Sequence, residues 1–178
     1  MEFTTETTQA QAIVDLFRAT FTDSEGADEG AVIGDFVAAL LSTTPARDIF
    51  VFSALDGDTV QASAIFTRLR FQDDARTAFI LSPMAVATDR QGKGLGQKLL
   101  HHALQQLRDA GVAVALTYGD INFYGRVGFR QIDETVAKAP LPLSFPEGWL
   151  AQSLTEAELT PLKGASTCVE ALNDPALW

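Results

Sequence analysis

"DRQGKGLGQKLL", residues 89–100, sets three glycines in front of a helical pattern. Glycine inside a helix costs roughly 1 kcal/mol relative to alanine. Gly92, Gly94 and Gly96 therefore imply that the backbone itself is needed here. The first amides of a helix have no intrahelical acceptor, and that end carries about half a positive charge. A phosphate answers both deficits, and glycines let it come close to the backbone. A glycine-rich turn that binds nothing is the plain alternative. Two well-defined phosphate loops do not fit. A Walker A loop reads G-x-x-x-x-G-K-[ST], but Ala87 stands five residues before Gly92, and Gly94 follows Lys93. The dinucleotide fingerprint G-x-G-x-x-G begins at Gly92 and Gly94 and fails at Gln97.

The flanks of this stretch define a unit. Before it, "TAFILSPMAVAT" is an apolar run interrupted by Pro83, which predicts an edge position, a bulge or a bend. After it, "QKLLHHALQQLRDAG" places Leu99, Leu100, Ala103, Leu104 and Leu107 on one helical face and stops at Gly111. "VAVALTYG" then reads as a buried strand. Strand, glycine turn, helix and strand make a βαβ unit with parallel flanking strands.

Further out, "MEFTTE" suggests a first strand. "TTQAQAIVDLFRATF" has helical spacing at Ile13, Leu16, Phe17 and Phe21. "TDSEGADEG" reads as a loop, and "AVIGDFVAALLST" as a second helix with Ile33, Phe36, Val37, Leu40 and Leu41 inward. "DIFVFSALDGDTVQASAIFTRLRF" predicts two strands around a "DGD" turn, with "QDDAR" as the next turn. "DINFYGRVGFRQI" reads as a short helix from Asp120, broken near Gly128, and a strand from Phe129. The tail from Ala139 holds most of the prolines and predicts loops with a short strand or two. The order βααβββαβαβ plus a tail joins an antiparallel meander to a parallel unit. The expected fold is thus mixed α/β (α+β), a central mixed sheet with helices on both faces.

A chain of 178 residues suits one domain. The formal net charge of −10 argues against non-specific nucleic-acid or anionic-membrane binding. One cysteine, Cys168, allows no disulfide within the chain, and no histidine lies near it in sequence to activate it. His101 and His102 are adjacent on a helix and point about 100° apart, so they are no metal pair; no metal is expected. The polar N-terminus is no signal peptide and no apolar run approaches the ~18–20 residues of a membrane span, so a cytoplasmic protein is expected.

Gln91-x-x-Gly94-x-Gly96 directly after "LSPMAV", with "DINFYGRVGF" about thirty residues on, resembles the GNAT superfamily of acetyl-CoA-dependent N-acetyltransferases, and its YhbS-type branch in particular. The resemblance implies a GNAT-like fold in a single domain 1–178, with a core over 1–135 and a C-terminal extension over 136–178 packing on it. It implies that the fourth and fifth strands splay to hold the cofactor. Backbone amides of Gln91, Gly92, Lys93, Gly94, Leu95 and Gly96 would cradle the pyrophosphate of acetyl-CoA or coenzyme A, with the Arg90 and Lys93 side chains adding charge. The main chain of Met84 and Val86 would meet the pantetheine arm. Asn122 would contact the cofactor, and Tyr124 would act as general acid toward the departing sulfur, unless it is simply a packed aromatic.

The chain departs from the family at one point. Many relatives carry a glutamate on the fourth strand, and "TAFILSPMAV" has no carboxylate. Asp120 and Ser82 are then the candidate bases, with a helix N-cap as the competing role for Asp120. The implied reaction is acetyl transfer from acetyl-CoA to a primary amine of a small molecule or protein by direct attack in a ternary complex. A non-catalytic acyl-CoA-binding or sensing module is the alternative. The acidic balance favours cationic amines, and the protein is expected to act as a monomer or homodimer.

Overall fold

In the computed structural model, which describes residues 1–5 and 7–178, the elements follow one another as β1 (Glu2–Thr4), α1 (Ala10–Glu25), α2 (Ala27–Thr43), β2 (Ile49–Asp56), β3 (Thr59–Phe71), β4 (Ala78–Val86), α3 (Leu95–Asp109), β5 (Val114–Tyr118), α4 (Ile121–Tyr124), β6 (Arg130–Gln131), β7 (Trp149–Ser153) and β8 (Ser166–Thr167). The strands form a mixed sheet ordered β1-β2-β3-β4-β5-β7-β6, with β8 joined to β3. β4 and β5 run parallel, from Ala78↔Val114 to Leu81↔Thr117. β5 and β7 run antiparallel, from Val114↔Ser153 to Tyr118↔Trp149.

Two expectations are corrected here. The acidic stretch 22–30 is not a loop: α1 and α2 are separated by Gly26 alone, at φ 102°. Asp28 and Glu29 fall in the first turn of α2, where the helix dipole favours negative charge. Pro83 is not at a sheet edge, because β4 lies between β3 and β5. Its missing N–H instead coincides with the end of the β4–β5 ladder two residues earlier. Gly92 and Gly94 stand ahead of α3 as the pattern predicts, while the helix starts two residues earlier than Gln97 and takes in Gly96 at its second position.

The chain divides into two compact units, Met1–Ile65 with Pro83–Ala103, and Phe66–Ser82 with Leu104–Trp178. In the first, Ile13, Val14, Leu16 and Phe17 of α1 and Ile33, Phe36, Val37 and Leu40 of α2 are buried. The two helices approach closely at small residues. A Cβ on Gly30 would lie 1.9 Å from the Thr22 hydroxyl and 2.7 Å from the Arg18 carbonyl. Phe21 and Leu41, expected inward, are only half-buried.

In the second unit the core is Phe66, Leu69, Phe79, Ile80, Leu81, Leu104, Leu107, Val114, Leu116, Phe129 and Trp149. Gly111 ends α3 at φ 81°, with the Val112 amide donating to Leu107 O at 2.9 Å. The tail contributes a strand here, since β7 lies between β5 and β6. The "QDDAR" turn holds another part of the tail. The Arg76 guanidinium pairs with Asp74 at 2.7 Å and donates to Thr160 O at 3.1 Å and Pro161 O at 2.8 Å. Asp74 also accepts from the Lys163 amide at 3.1 Å.

Candidate active site

A strand in the middle of a sheet is normally covered along its whole length. In β4 the residues Ala78 to Leu81 are buried, but Ser82, Pro83, Met84 and Val86 are only half-buried, with Ala85 buried between them. Apolar sequence at a central position that lacks cover implies a surface waiting for an occupant. Met84 and Val86 share a face of this stretch, as their alternate spacing requires.

The glycine loop follows directly. The Gln91 side chain turns back and donates from Nε2 to Val86 O at 3.0 Å, fastening the loop to the strand end. Gly92 and Gly94 adopt φ 70° and 77°, a region only glycine enters without strain. A Cβ at either would meet nothing within 4 Å, so the space over the loop is open. The first α3 amide to reach a carbonyl across the loop is that of Lys98, on Gly94 O at 3.1 Å. The amides of Leu95, Gly96 and Gln97 come before it and have no intrahelical acceptor. A run of free amides at a helix start, bared by glycine, is a donor set matched to a phosphate. The side chains expected to add charge are engaged elsewhere. Arg90 pairs with Asp56 at 2.8 Å, and Lys93 Nζ donates to Asp89 O at 2.8 Å. The Arg90 charge is thus paired, while Lys93 keeps its charge beside the loop's own carbonyl.

The second motif belongs to the other unit and is built at the end of β5. Asp120 is the N-cap of α4; its Oδ1 accepts from the Asn122 amide at 2.9 Å and from Asn122 Nδ2 at 3.0 Å. That bonding accounts for Asp120 and Asn122 structurally and brings these two predicted residues together. Tyr124 lies one turn on, its amide bonded to Asp120 O at 3.0 Å. The ring sits edge-on to Phe123 and Phe129, at 5.0 and 5.9 Å between centroids. It also lies against Gly119, where a Cβ would stand 2.7 Å from Cε2. This is why position 119 takes glycine: any side chain would displace the ring.

Burial pushes the Tyr124 phenol above its ordinary range, a hydrogen bond with the Thr117 hydroxyl opposes this, and the Asp120 carboxylate adds to the rise. Tyr124 therefore carries its proton throughout the neutral range, as an acid must. Thr117 was not singled out by sequence reasoning. Its only signal was a hydroxyl within the otherwise apolar "VAVAL" run and its continuation. Ser82, the other candidate base, is half-buried on β4. Cys168 is half-buried, and burial pushes its thiol up, away from the thiolate a nucleophile needs. Among the described residues no group of three or more His, Cys, Asp or Glu side chains could hold a metal ion, and no helix is long and apolar enough to cross a membrane.

Comparison with known proteins shows the family and the fold. Residues 10–129 match the model of the Acetyltransferase (GNAT) family. A curated relative, the uncharacterized N-acetyltransferase YjhQ of Escherichia coli K12, is 31% identical over 141 residues, covering 76% of this chain and 77% of its own. Among solved structures, the GNAT family N-acetyltransferase YhbS from Escherichia coli in complex with CoA superposes with a TM-score of 0.77 at 22% identity, covering 97% of this chain and 92% of that one. A GNAT family acetyltransferase from Brucella melitensis in complex with acetyl-CoA gives a TM-score of 0.73 at 23% identity, with 97% of each chain covered.

Proposed function

The chain belongs to the GNAT acetyltransferase family, and from that premise we propose that it moves an acetyl group from acetyl-CoA to a primary amine by direct attack in a ternary complex. The single observation that carries the cofactor assignment is the half-uncovered end of β4 running into an open glycine loop with free helix-start amides. The pyrophosphate would take the amides of residues 91–96, and the pantetheine arm would run along the main chain of Met84 and Val86, with Asn122 as a further contact. Acetyl-CoA supplies an already activated acyl group, so the residues of this chain have to bind, orient and move protons.

Tyr124 is assigned as the acid that meets the departing sulfur. Its ring is held on three sides and its proton is retained at neutral pH. With no carboxylate on β4, the proton of the attacking amine leaves by way of water, and Asp120, exposed at the head of α4, is the candidate to receive it. The acceptor is a small-molecule or protein amine. The net charge of −10 favours a cationic one. Residues 1–178 would act as one acetyltransferase domain in the cytoplasm.

The absent β4 carboxylate favours a second reading, a module that binds acyl-CoA without turnover. Release of free thiol from acetyl-CoA, followed against a panel of polyamines, aminoglycosides and lysine peptides, separates the two. Amine-dependent thiol release supports the enzyme. Tight binding of acetyl-CoA by calorimetry with no release for any amine supports the module. Absence of binding overturns both.

A further inference from the structure

Three side chains fasten the chain between the end of β4 and Gly92. Gln91 reaches back to Val86 O at 3.0 Å, Arg90 reaches Asp56 Oδ2 at 2.8 Å, and the Thr88 hydroxyl donates to Asp23 Oδ2 at 2.6 Å. The last of these joins residues 65 apart in sequence, and its length is that of a hydrogen bond to a charged oxygen. Thr88 opens the short turn Thr88–Arg90 that carries the chain from β4 into the glycine loop. All of these residues lie in the first compact unit.

Charge alone gives Asp23 no reason to stand there. It lies in the last turn of α1, which holds no basic residue, and a carboxylate in that turn opposes the negative end of the helix dipole. It is also bonded to the entry of a loop assigned to a pyrophosphate, where another anion works against the ligand. What Asp23 does is hold the residue at which the loop leaves the strand. We propose that Asp23 is a positioning residue for the phosphate loop: by accepting from the Thr88 hydroxyl it fixes the turn at 88–90 and so holds the helix-start amides of α3 in place for the pyrophosphate of coenzyme A. The inference rests on the assignment of that loop to the cofactor. Gly92 and Gly94, at φ 70° and 77°, give the loop more backbone freedom than other residues would. Freedom lost on binding subtracts from affinity, so a loop fixed at its entry binds more tightly than a free one. Asp23 acts on the loop that takes the pyrophosphate and not on the thioester, so its effect belongs to binding and not to the chemical step.

Calorimetry with coenzyme A reads this without any acceptor. Asp23→Ala and Thr88→Val should each weaken binding about fivefold, the scale of one net hydrogen bond. The double variant should be no weaker than either single one, because both remove the same bond. Asp23→Asn keeps an acceptor and Thr88→Ser keeps a hydroxyl, so both should stay within about twofold of wild type, small beside that fivefold loss. Alanine in the last turn removes an unfavourable charge from α1, so the urea midpoint of Asp23→Ala should equal or exceed that of wild type. Weaker binding by a protein that is no less stable separates positioning from a general loss of structure. With acetyl-CoA and a competent amine, Asp23→Ala should raise the KM for acetyl-CoA by a similar factor while kcat at saturation holds. Wild-type affinity in both Asp23→Ala and Thr88→Val, tighter binding by Asp23→Ala, or additive losses in the double variant overturn the role of Asp23 alone. Wild-type protein that does not bind coenzyme A overturns the assignment of the loop beneath it.

Discussion

In the proposed mechanism the chemistry depends most directly on Tyr124 and Gly94. A free phenol titrates near ~10 and a thiol near ~8.5, so proton transfer to a released thiolate is uphill before burial raises the phenol further. Donation helps while charge is building on sulfur. Tyr124→Phe should therefore lower kcat by about 10², the lower end for a positioned acid, and leave coenzyme A affinity nearly unchanged because the ring still packs. Since the phenol is raised, the alkaline limb of the wild-type kcat profile should lie above ~10 and vanish in the variant. Equal kcat for the two proteins would reduce Tyr124 to packing. Gly94 tests the other unit. Its Cβ position meets nothing within 4 Å, so a large side chain has room without breaking the fold, at the strain of φ 77°. Gly94→Trp should cover the helix-start amides and weaken coenzyme A binding at least about tenfold by calorimetry; unchanged affinity would remove the phosphate from this loop.

At the scale of elements, β4 and the α1–α2 hairpin illustrate two uses of small or unusual residues. Pro83 lies where the β4–β5 ladder has already ended, so its lack of an amide proton costs no bond there. The helix pair works differently, because Gly30 and Gly34 on α2 admit Thr22 and Arg18 of α1 closely. Gly30→Val should overpack that contact and destabilise the protein by about 1–3 kcal/mol, seen as a lower urea midpoint with an unchanged slope. A midpoint equal to wild type would mean that the helices part without cost. The helices themselves were legible as periodic apolar faces. The one-residue joint between them was not, because a run of acidic and glycine residues looks the same whether it is a loop or two helix ends.

Across the whole molecule, the part of the tail around Thr160–Lys163 is held by an ion pair whose titration sets a pH limit. The Arg76 guanidinium, with the Arg76 and Lys163 amides, holds the Asp74 carboxyl well below the usual carboxylate range. Because the folded value is depressed, the stabilisation is complete above the unfolded value of ~3.9 and is lost as pH falls below it. Asp74→Asn should therefore be less stable than wild type at neutral pH, with the gap closing in strong acid. Proteolysis of the segment around Thr160–Lys163 gives an independent reading of the same loss. No change in either would make the pair incidental. Metal removal is the complementary test: overnight dialysis against EDTA should leave acetyl transfer unchanged, and activity restored by zinc or magnesium would count against the mechanism.

The sequence by itself determined the element order through β6, the glycine loop, the Asp120 cap and the family, because each rests on local periodicity, local φ or short spacing. Only the tertiary structure decided that β7 from the tail enters the sheet between β5 and β6, and that Arg90 is occupied by Asp56. Those contacts join side chains or strands whose pairing leaves no periodic trace in the chain, so they exist only once the sheet has brought them together.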